Sequence, residues 1–351
     1  MGTIGILVDP GVFRGIRSGR TGSENLRLYN KAAAKHGLKI LYMSLDRISP
    51  SFRSAFGYKR VKGKYVSGNY PIPKVIHNRT LSFSARSRMR LRRLKRIRRV
   101  FNGQNRYSKY RIHKLLRGVF PSHLPVTVPF SRAHLREMMS RFGSLYIKPR
   151  SSSVGSGIIR ISRKKSGKWQ VRLPNASLVA DAKKTVSIVM RYVRKRKYII
   201  QQTIPLATYN GRPYDIRVSV QRGASGFWQV TGMYGKVARK GSHVTNVARR
   251  GTAKPCDVLL RHSFADPMRV AANLQHVSLS IARYLGRRLD NLADIGLDMG
   301  VDAAGHPYFI EMNGRDQRYG FRKAGMPGAF YRVYETPLLY AKYLLRRTKR
   351  G

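Results

Sequence analysis

The sequence predicts an α/β chain in two parts, a small N-terminal domain with parallel strands followed by antiparallel sheets that carry a short acidic hairpin. Three observations predict it. Strand, helix and strand alternate at the N-terminus; after Gly143 short alternating strands follow one another across Gly-rich turns; and six of the 15 Asp and Glu residues fall between Asp290 and Asp316.

A length of 351 residues suits two or three domains. Hydrophobic content of 42 % is that of a chain with packed cores, neither disordered nor collagenous. Against those 15 acids stand 71 Lys and Arg, a formal charge of +56, so nucleic acid, acidic polymers and nucleotides are attracted at long range. Nonspecific nucleic-acid binding follows from that charge alone, whereas no zinc spacing, RNA-recognition signature or basic helix-turn-helix pattern supports sequence-specific reading. The single Cys256 forms no internal disulfide and reads as a buried thiol in a reducing compartment. "MGTIGILVDPG" lacks a basic leader and ends early at Asp9-Pro10, so it reads as a strand and not as a signal peptide. No run approaches the ~18–20 apolar residues of a membrane span. The expectation is a soluble chain, cytoplasmic where it is made.

"TIGILV" at 3–8 is the first strand, and residues 23–36 form a helix with Ser23 as N-cap and Gly37 closing it. "LKILYMSL" follows as a second strand, an order that suggests parallel pairing. "YPIPKVIHNRT" adds a short strand near the sheet edge. Residues 84–104 read as a cationic helix on which Met89, Leu91, Leu94, Ile97 and Val100 make an apolar stripe. That run is either a solvated helix packed by its stripe or a patch for polyanions or a membrane surface.

Residues 107–116 and 131–142 are helical, with "LPVTVPF" an extended connector between them. "SLYIKPR" and "GIIRISR" then flank a Ser/Gly loop, and "KWQVRL" completes an antiparallel set. A helix at about 179–195 leads into "KYIIQQTI", "YDIRVSVQR" and "FWQVTGMYGKVAR" as strands, and a further helix spans about 268–287.

Asp290, Asp294, Asp298 and Asp302 are four apart, which would line one helix face, but Gly296 and Gly300 argue against a helix. A hairpin fits better. Leu297, Met299 and Val301 alternate with Asp298 and Gly300, while Tyr308, Ile310 and Met312 alternate with Phe309, Glu311 and Asn313. With 303–306 as the loop, Asp302 pairs with Pro307, Asp298 faces Glu311, and Asn313 shares the face of Glu311. Side chains so opposed stand ~4.5–5.5 Å apart at Cβ, where two carboxylates repel unless a cation or proton lies between them. Carboxylate and amide oxygens suit Mg²⁺ completed by water and phosphate. Asp298, Glu311 and Asn313 are therefore a candidate metal set, the alternative being a surface hairpin whose acids pair with the abundant Arg. Asp290, Asp294 and Asp302 take no part in it.

Lys148 in "YIKPRSSSVGSGI", "QQTI" at 201–204 and "GLDMGVDAAGHPYFIEMNG" at 296–314 together resemble the ATP-grasp superfamily in order and interval, over roughly residues 105–345. Within it, "GILVDP", "IPKVIHNR", "YDIRVSVQR", "VTNVARRG" and "EMNGRDQ" resemble the YheC/YheD endospore coat-associated proteins of spore-forming bacteria. The resemblance implies an α+β ATP-grasp fold in which two antiparallel-sheet subdomains clasp ATP. It divides the chain into an N-terminal α/β domain at 1–83, a basic helical connector at 84–104, an ATP-grasp domain at 105–345 with a lid-like subdomain at about 144–203, and a basic tail at 346–351.

By the same resemblance Lys148 contacts ATP phosphate or the adenine edge, and Lys109 matches an earlier ATP-contacting lysine. Ser152, Ser153, Gly155 and Gly157 belong to a flexible loop over the phosphates, where bare backbone N–H groups suit an anion. Gln201 and Gln202 occupy the adenine hinge. Asp298, Glu311 and Asn313 become ligands of Mg²⁺, or of Mn²⁺, and Arg217 and Asn246 are catalytic candidates for phosphate or acyl-phosphate contact. Two departures stand out. Gly314-Arg315-Asp316-Gln317 replaces the Pro-Gly that many such ligases carry after the last metal ligand, and Gly296 stands where many carry Arg. ATP and metal binding thus carry over more directly than catalysis. One expectation is an ATP-dependent carboxylate-amine ligase associated with the endospore coat, its carboxylate and amine unidentified. The other is a non-catalytic spore-surface protein that keeps the fold and binds coat components or acidic polymers through its cationic surface.

Overall fold

Three six-stranded sheets follow one another along the chain. They are seen in a computed structural model that describes residues 2–81, 84–150, 157–193, 197–239 and 251–347. The first sheet holds β1 (Gly2–Leu7), β2 (Leu38–Ile48), β3 (Ser54–Val61), β4 (Lys64–Pro71), β5 (Val75–Asn78) and β6 (Arg99–Phe101), in the order β4-β3-β2-β1-β5-β6. Apolar β1 is buried between two parallel neighbours, β2 and β5, as the strand-helix-strand order predicts. The crossover helix Leu26–Lys35 is capped by Asn25, whose side chain accepts from the Leu28 N–H, and not by Ser23. Gly37 ends it with φ +65°.

Three features differ from the sequence expectation. β5 lies inside the sheet, between β1 and β6, because the basic run stops being helical at Ile97 and its next residues pair with β5. Leu91 and Leu94 are the buried residues of helix Ala85–Ile97, whereas Met89 and Ile97 are 59 % and 45 % exposed. The β3–β4 hairpin, turning at Lys62 and Gly63 with positive φ, was not anticipated.

The second sheet is antiparallel throughout. It contains β7 (Thr127–Pro129), β8 (Ser144–Pro149), β9 (Ile159–Arg163), β10 (Trp169–Arg172), β11 (Ser177–Ala180) and β12 (Tyr198–Gln202), ordered β11-β10-β9-β8-β12-β7. The connector "LPVTVPF" supplies β7, which pairs with β12. Leu145, Ile147, Ile159, Ile161 and Trp169 meet helices Arg132–Arg141 and Ala182–Tyr192 in a core of their own.

The third sheet comprises β13 (Thr208–Tyr209), β14 (Arg212–Arg222), β15 (Trp228–Val237), β16 (Thr252–Pro255), β17 (Asp294–Val301) and β18 (Pro307–Asn313), ordered β16-β15-β14-β17-β18 with β13 beside β14. Period two splits its central strands. Ile216, Val218, Val220, Leu297 and Met299 face helices Cys256–Ser263 and Pro267–Arg288, each such burial stabilising by ~1.5–3 kcal/mol. The opposite face carries Asp215, Arg217, Ser219 and Gln221, all buried.

Two buried polar joints lock the first sheet to the third. Asn102, at φ +52°, accepts from the Ala293 and Asp294 N–H groups at 2.9 Å and donates to the Gly314 carbonyl at 2.8 Å. Asp294 meets Arg318 at 2.5 Å, His77 at 3.1 Å and Arg79 at 3.4 Å. Burial alone would raise the Asp294 carboxyl, but Arg318, His77 and Arg79 hold it far below the usual carboxylate range.

Candidate functional site

The third sheet's register sets a row of charges on its polar face. Lys236 pairs across strands with Asp215, Arg217 with Asp298, and Asp298 with Glu311. Lys236 Nζ lies 2.8 Å from Asp215 Oδ1 and 2.9 Å from Asp298 Oδ1, and Arg217 Nε donates to the same Asp298 oxygen at 2.7 Å. Burial would raise the Asp298 carboxyl, yet Arg217 and Lys236 outweigh it and keep it ionised well below the ordinary range. Asp298 Oδ2 accepts from Asn313 Nδ2 at 3.3 Å, and Glu311 is ion-paired with Lys109 at the start of helix Lys109–Leu116. Asp298, Glu311 and Asn313 are thus gathered on one face.

The hairpin reaches that arrangement by a different path from the one expected. Val301, not Asp302, pairs with Pro307, and Met299 pairs with Phe309, one residue out of the predicted register. A bulge between Asp298 and Met299, with Ile310 as the extra residue, restores Asp298 to Glu311 and Gly296 to Asn313. It also turns Phe309 into the core with Met312, leaving Tyr308 and Ile310 half-buried. Asp302 caps the turn instead, accepting from the Ala304 and His306 N–H groups.

Arg217 is held by carboxylates. Its Nη1 donates to Asp316 Oδ1 at 3.0 Å, and Asp316 also accepts from Ser219 Oγ. Asp215, its neighbour on the same face, pairs with Lys236 and not with Arg217. A Cβ at Gly296 would lie 2.4 Å from Asp316 Oδ1 and 3.0 Å from Arg217 Cδ. The two departures noted in the sequence are therefore one feature: Asp316 occupies the space that any side chain at position 296 would need.

Lys148 Nζ donates to Gln201 Oε1 at 2.6 Å across β8 and β12, and Gln201 Nε2 donates to Thr127 Oγ1 at 3.0 Å. Burial, helped by nearby Lys109, pushes the Lys148 ammonium down to about 8. Gln202 diverges: its Oε1 accepts from the Val126 N–H at 3.2 Å. Gly157 takes φ +73° at the end of its loop. Ser152, Ser153, Gly155 and Asn246 lie outside the described residues.

Sequence reasoning missed Lys236 and Asp316. Lys236 left a signal, being a lone cation inside the alternating strand "MYGKV". Asp316 left little, because its partners Ser219 and Arg217 are 97 and 99 residues away. Among the described residues no group of three or more His, Cys, Asp or Glu could hold a metal ion, so a cation here would depend on two carboxylates, an amide oxygen and further ligands.

Residues 98–344 match the family described as YheC/D like ATP-grasp. Endospore coat-associated protein YheD of Bacillus subtilis (strain 168) is 26 % identical over 255 residues, covering 68 % of this chain and 54 % of that protein. The chain thus spans about half the length of this curated relative. Among solved structures, D-cycloserine synthetase DcsG aligns with TM-score 0.57 at 12 % identity, over 96 % of this chain and 100 % of that one. D-alanyl-alanine synthetase A from Vibrio cholerae O1 biovar eltor aligns with TM-score 0.54 at 10 % identity, over 99 % and 98 %. The ATP-grasp ligase PsnB, complexed with a phosphomimetic variant of minimal precursor, Mg and ADP, gives 0.54 at 14 % over 95 % and 99 %. At these identities the likeness to the solved structures is one of fold.

Proposed function

This chain belongs to the YheC/D-like ATP-grasp family, and from that premise we propose that it binds ATP with a divalent cation and joins a carboxylate to an amine. The observation that carries this reading is the pairing of Asp298 with Glu311, with Asn313 beside them and Lys109 already in contact with Glu311. Two carboxylates and an amide supply hard oxygen donors that fit Mg²⁺, which keeps several waters and takes phosphate oxygens for the rest. Turning the Asn313 amide over would offer its oxygen where its Nδ2 now meets Asp298. When bound, the cation would neutralise charge on the phosphates and orient them.

The chain's own residues do the rest. On this reading Lys109, released from Glu311, and Lys148 would meet phosphate oxygens, with Gln201, which accepts from Lys148, steering its ammonium. Arg217 and Lys236 hold Asp298 ionised and fixed in place. Among the described residues Arg217 Nη2 has no partner, and it is the donor left for a phosphoryl oxygen. In the reaction the γ-phosphoryl group passes to a carboxylate oxygen as ADP leaves. The amine nitrogen then attacks the acyl carbon, loses a proton, and inorganic phosphate departs.

A second reading, adhesion to acidic polymers of the endospore coat, is favoured by the exposed Arg86, Arg88, Arg92 and Arg96 on helix Ala85–Ile97 and by the name of the Bacillus relative. ADP release on addition of pooled amino acids and peptides tests the ligase. Release no faster than without the pools, from protein that binds ATP, would leave the adhesive reading in its place.

A further inference from the structure

A cavity of about 710 Å³ opens beside Glu311, walled by the end of β5 and the residues after it, by helix Ala85–Ile97, and by the 103–109 and 311–317 segments. Its charged lining is lopsided. Arg88, Arg92, Lys95, Arg106, Lys109, Arg150 and Arg315 line it with one carboxylate, Glu311. Lys95, Lys109 and Arg315 are ion-paired with Asp290, Glu311 and Asp9. Arg150 instead points Nε at the Tyr198 carbonyl, 3.4 Å away, and lies over the Tyr110 ring, while Arg92 is exposed.

Asn105 is fixed on the same wall. Its Nδ2 donates to the Asn78 and Thr80 carbonyls at 2.9 and 3.0 Å, which fixes the amide's orientation. Asn105 Oδ1 is left buried without a partner among the described residues, as is the hydroxyl of Tyr107 on the same wall.

Resting on the ligase reading above, we propose that this cavity receives the carboxylate component and that this component is an acidic peptide. Several carboxylates suit the arginines, whose planar forks bind them two bonds at a time. The volume, within the ~300–1,000 Å³ of ordinary ligand sites, admits a short peptide or the end of a longer one. Inorganic polyphosphate would satisfy the arginines but carries no carboxylate for ATP to activate.

The test follows the anisotropy of a labelled Glu-rich hexapeptide with the full chain at physiological salt, with and without Mg²⁺ and a non-hydrolysable ATP analogue. Arg88→Gln/Arg92→Gln is compared with Lys164→Gln/Lys165→Gln, which removes equal charge from an exposed turn outside the cavity. The cavity pair is expected to weaken peptide binding ~10-fold or more, as loss of charge-assisted hydrogen bonds does, and the turn pair less than ~2-fold. A Gln-for-Glu version of the peptide is expected not to compete. Equal weakening by both pairs, or polyphosphate competing as strongly as the peptide, overturns the proposal. If Arg88→Gln/Arg92→Gln does not fold, Arg92→Gln alone is read by the same criteria. Absence of nucleotide binding in the wild-type chain would refute the ligase reading separately, because the nucleotide-free arm reads the cavity alone.

Discussion

Asp298 and Glu311 stand directly opposite each other on β17 and β18, yet each is neutralised by a different lysine, Lys236 for Asp298 and Lys109 for Glu311. The two lysines are not equivalent. Lys236 belongs to the same sheet and meets an Asp298 whose side chain is 12 % exposed, whereas Lys109 reaches in from a helix to a Glu311 whose side chain is 33 % exposed. On the reading proposed above, Lys236 is a structural cation and Lys109 an exchangeable one.

Lys236→Met should destabilise the fold strongly, because it leaves Asp215 and Asp298 buried without their shared cation. Breaking one partner of a buried ion pair typically costs ~3–5 kcal/mol. Urea unfolding measures it, and a loss under ~1 kcal/mol would show that the network is not held by Lys236.

Gly296→Ala should displace Asp316 and Arg217 together, since the new methyl falls 2.4 Å from Asp316 Oδ1. Overpacking of this kind costs ~1–3 kcal/mol. Adding Asp316→Ser should recover part of that loss in a double-mutant cycle; strict additivity would separate the two positions.

The Lys148 ammonium, brought down to about 8 by burial and by Lys109, is charged below that pH and neutral above it. ATP affinity should therefore fall as pH rises through about 8, approaching tenfold per unit above it if one proton is linked to binding. Titration calorimetry from pH 7 to 9 checks the slope, and Lys148→Arg, permanently charged, should flatten it.

Burial lowers His77 to about 4, despite Asp294 beside it, so the unfolded chain takes up the proton first. Stability should then decline as pH falls from about 6.5 toward 4, by up to ~3 kcal/mol from this group. His77→Gln should remove that part of the slope in urea titrations across this range, and an unchanged slope would place the effect elsewhere.

Much of this architecture is legible in the sequence, for physical reasons that can be named. Period two in "GLDMGV" and "YFIEMN" sets which residues share a face, and a short loop fixes their opposition, so Asp298, Glu311 and Asn313 could be brought together on paper. The bulge at Ile310 was not legible, because one extra residue in a strand leaves no mark in residue type. The expected register reached the right pair only because the loop was one residue longer and the bulge compensated. Asp294 lost its metal candidacy on spacing alone, and the structure explains why it is there: it joins His77, Arg79 and Arg318 across two sheets. Such contacts depend on packing between distant segments, as does the tie of Asp316 to Arg217.

The central claim is that Glu311 helps hold a divalent cation for ATP. Titration of ATP into wild type and Glu311→Gln, with Mg²⁺ and with a chelator, tests it most directly. The account predicts that Mg²⁺ strengthens ATP binding in wild type by about tenfold or more, in the range set by losing one charged ligand, and that Glu311→Gln loses most of that gain. Equal Mg²⁺-dependent affinity in the two proteins would contradict it.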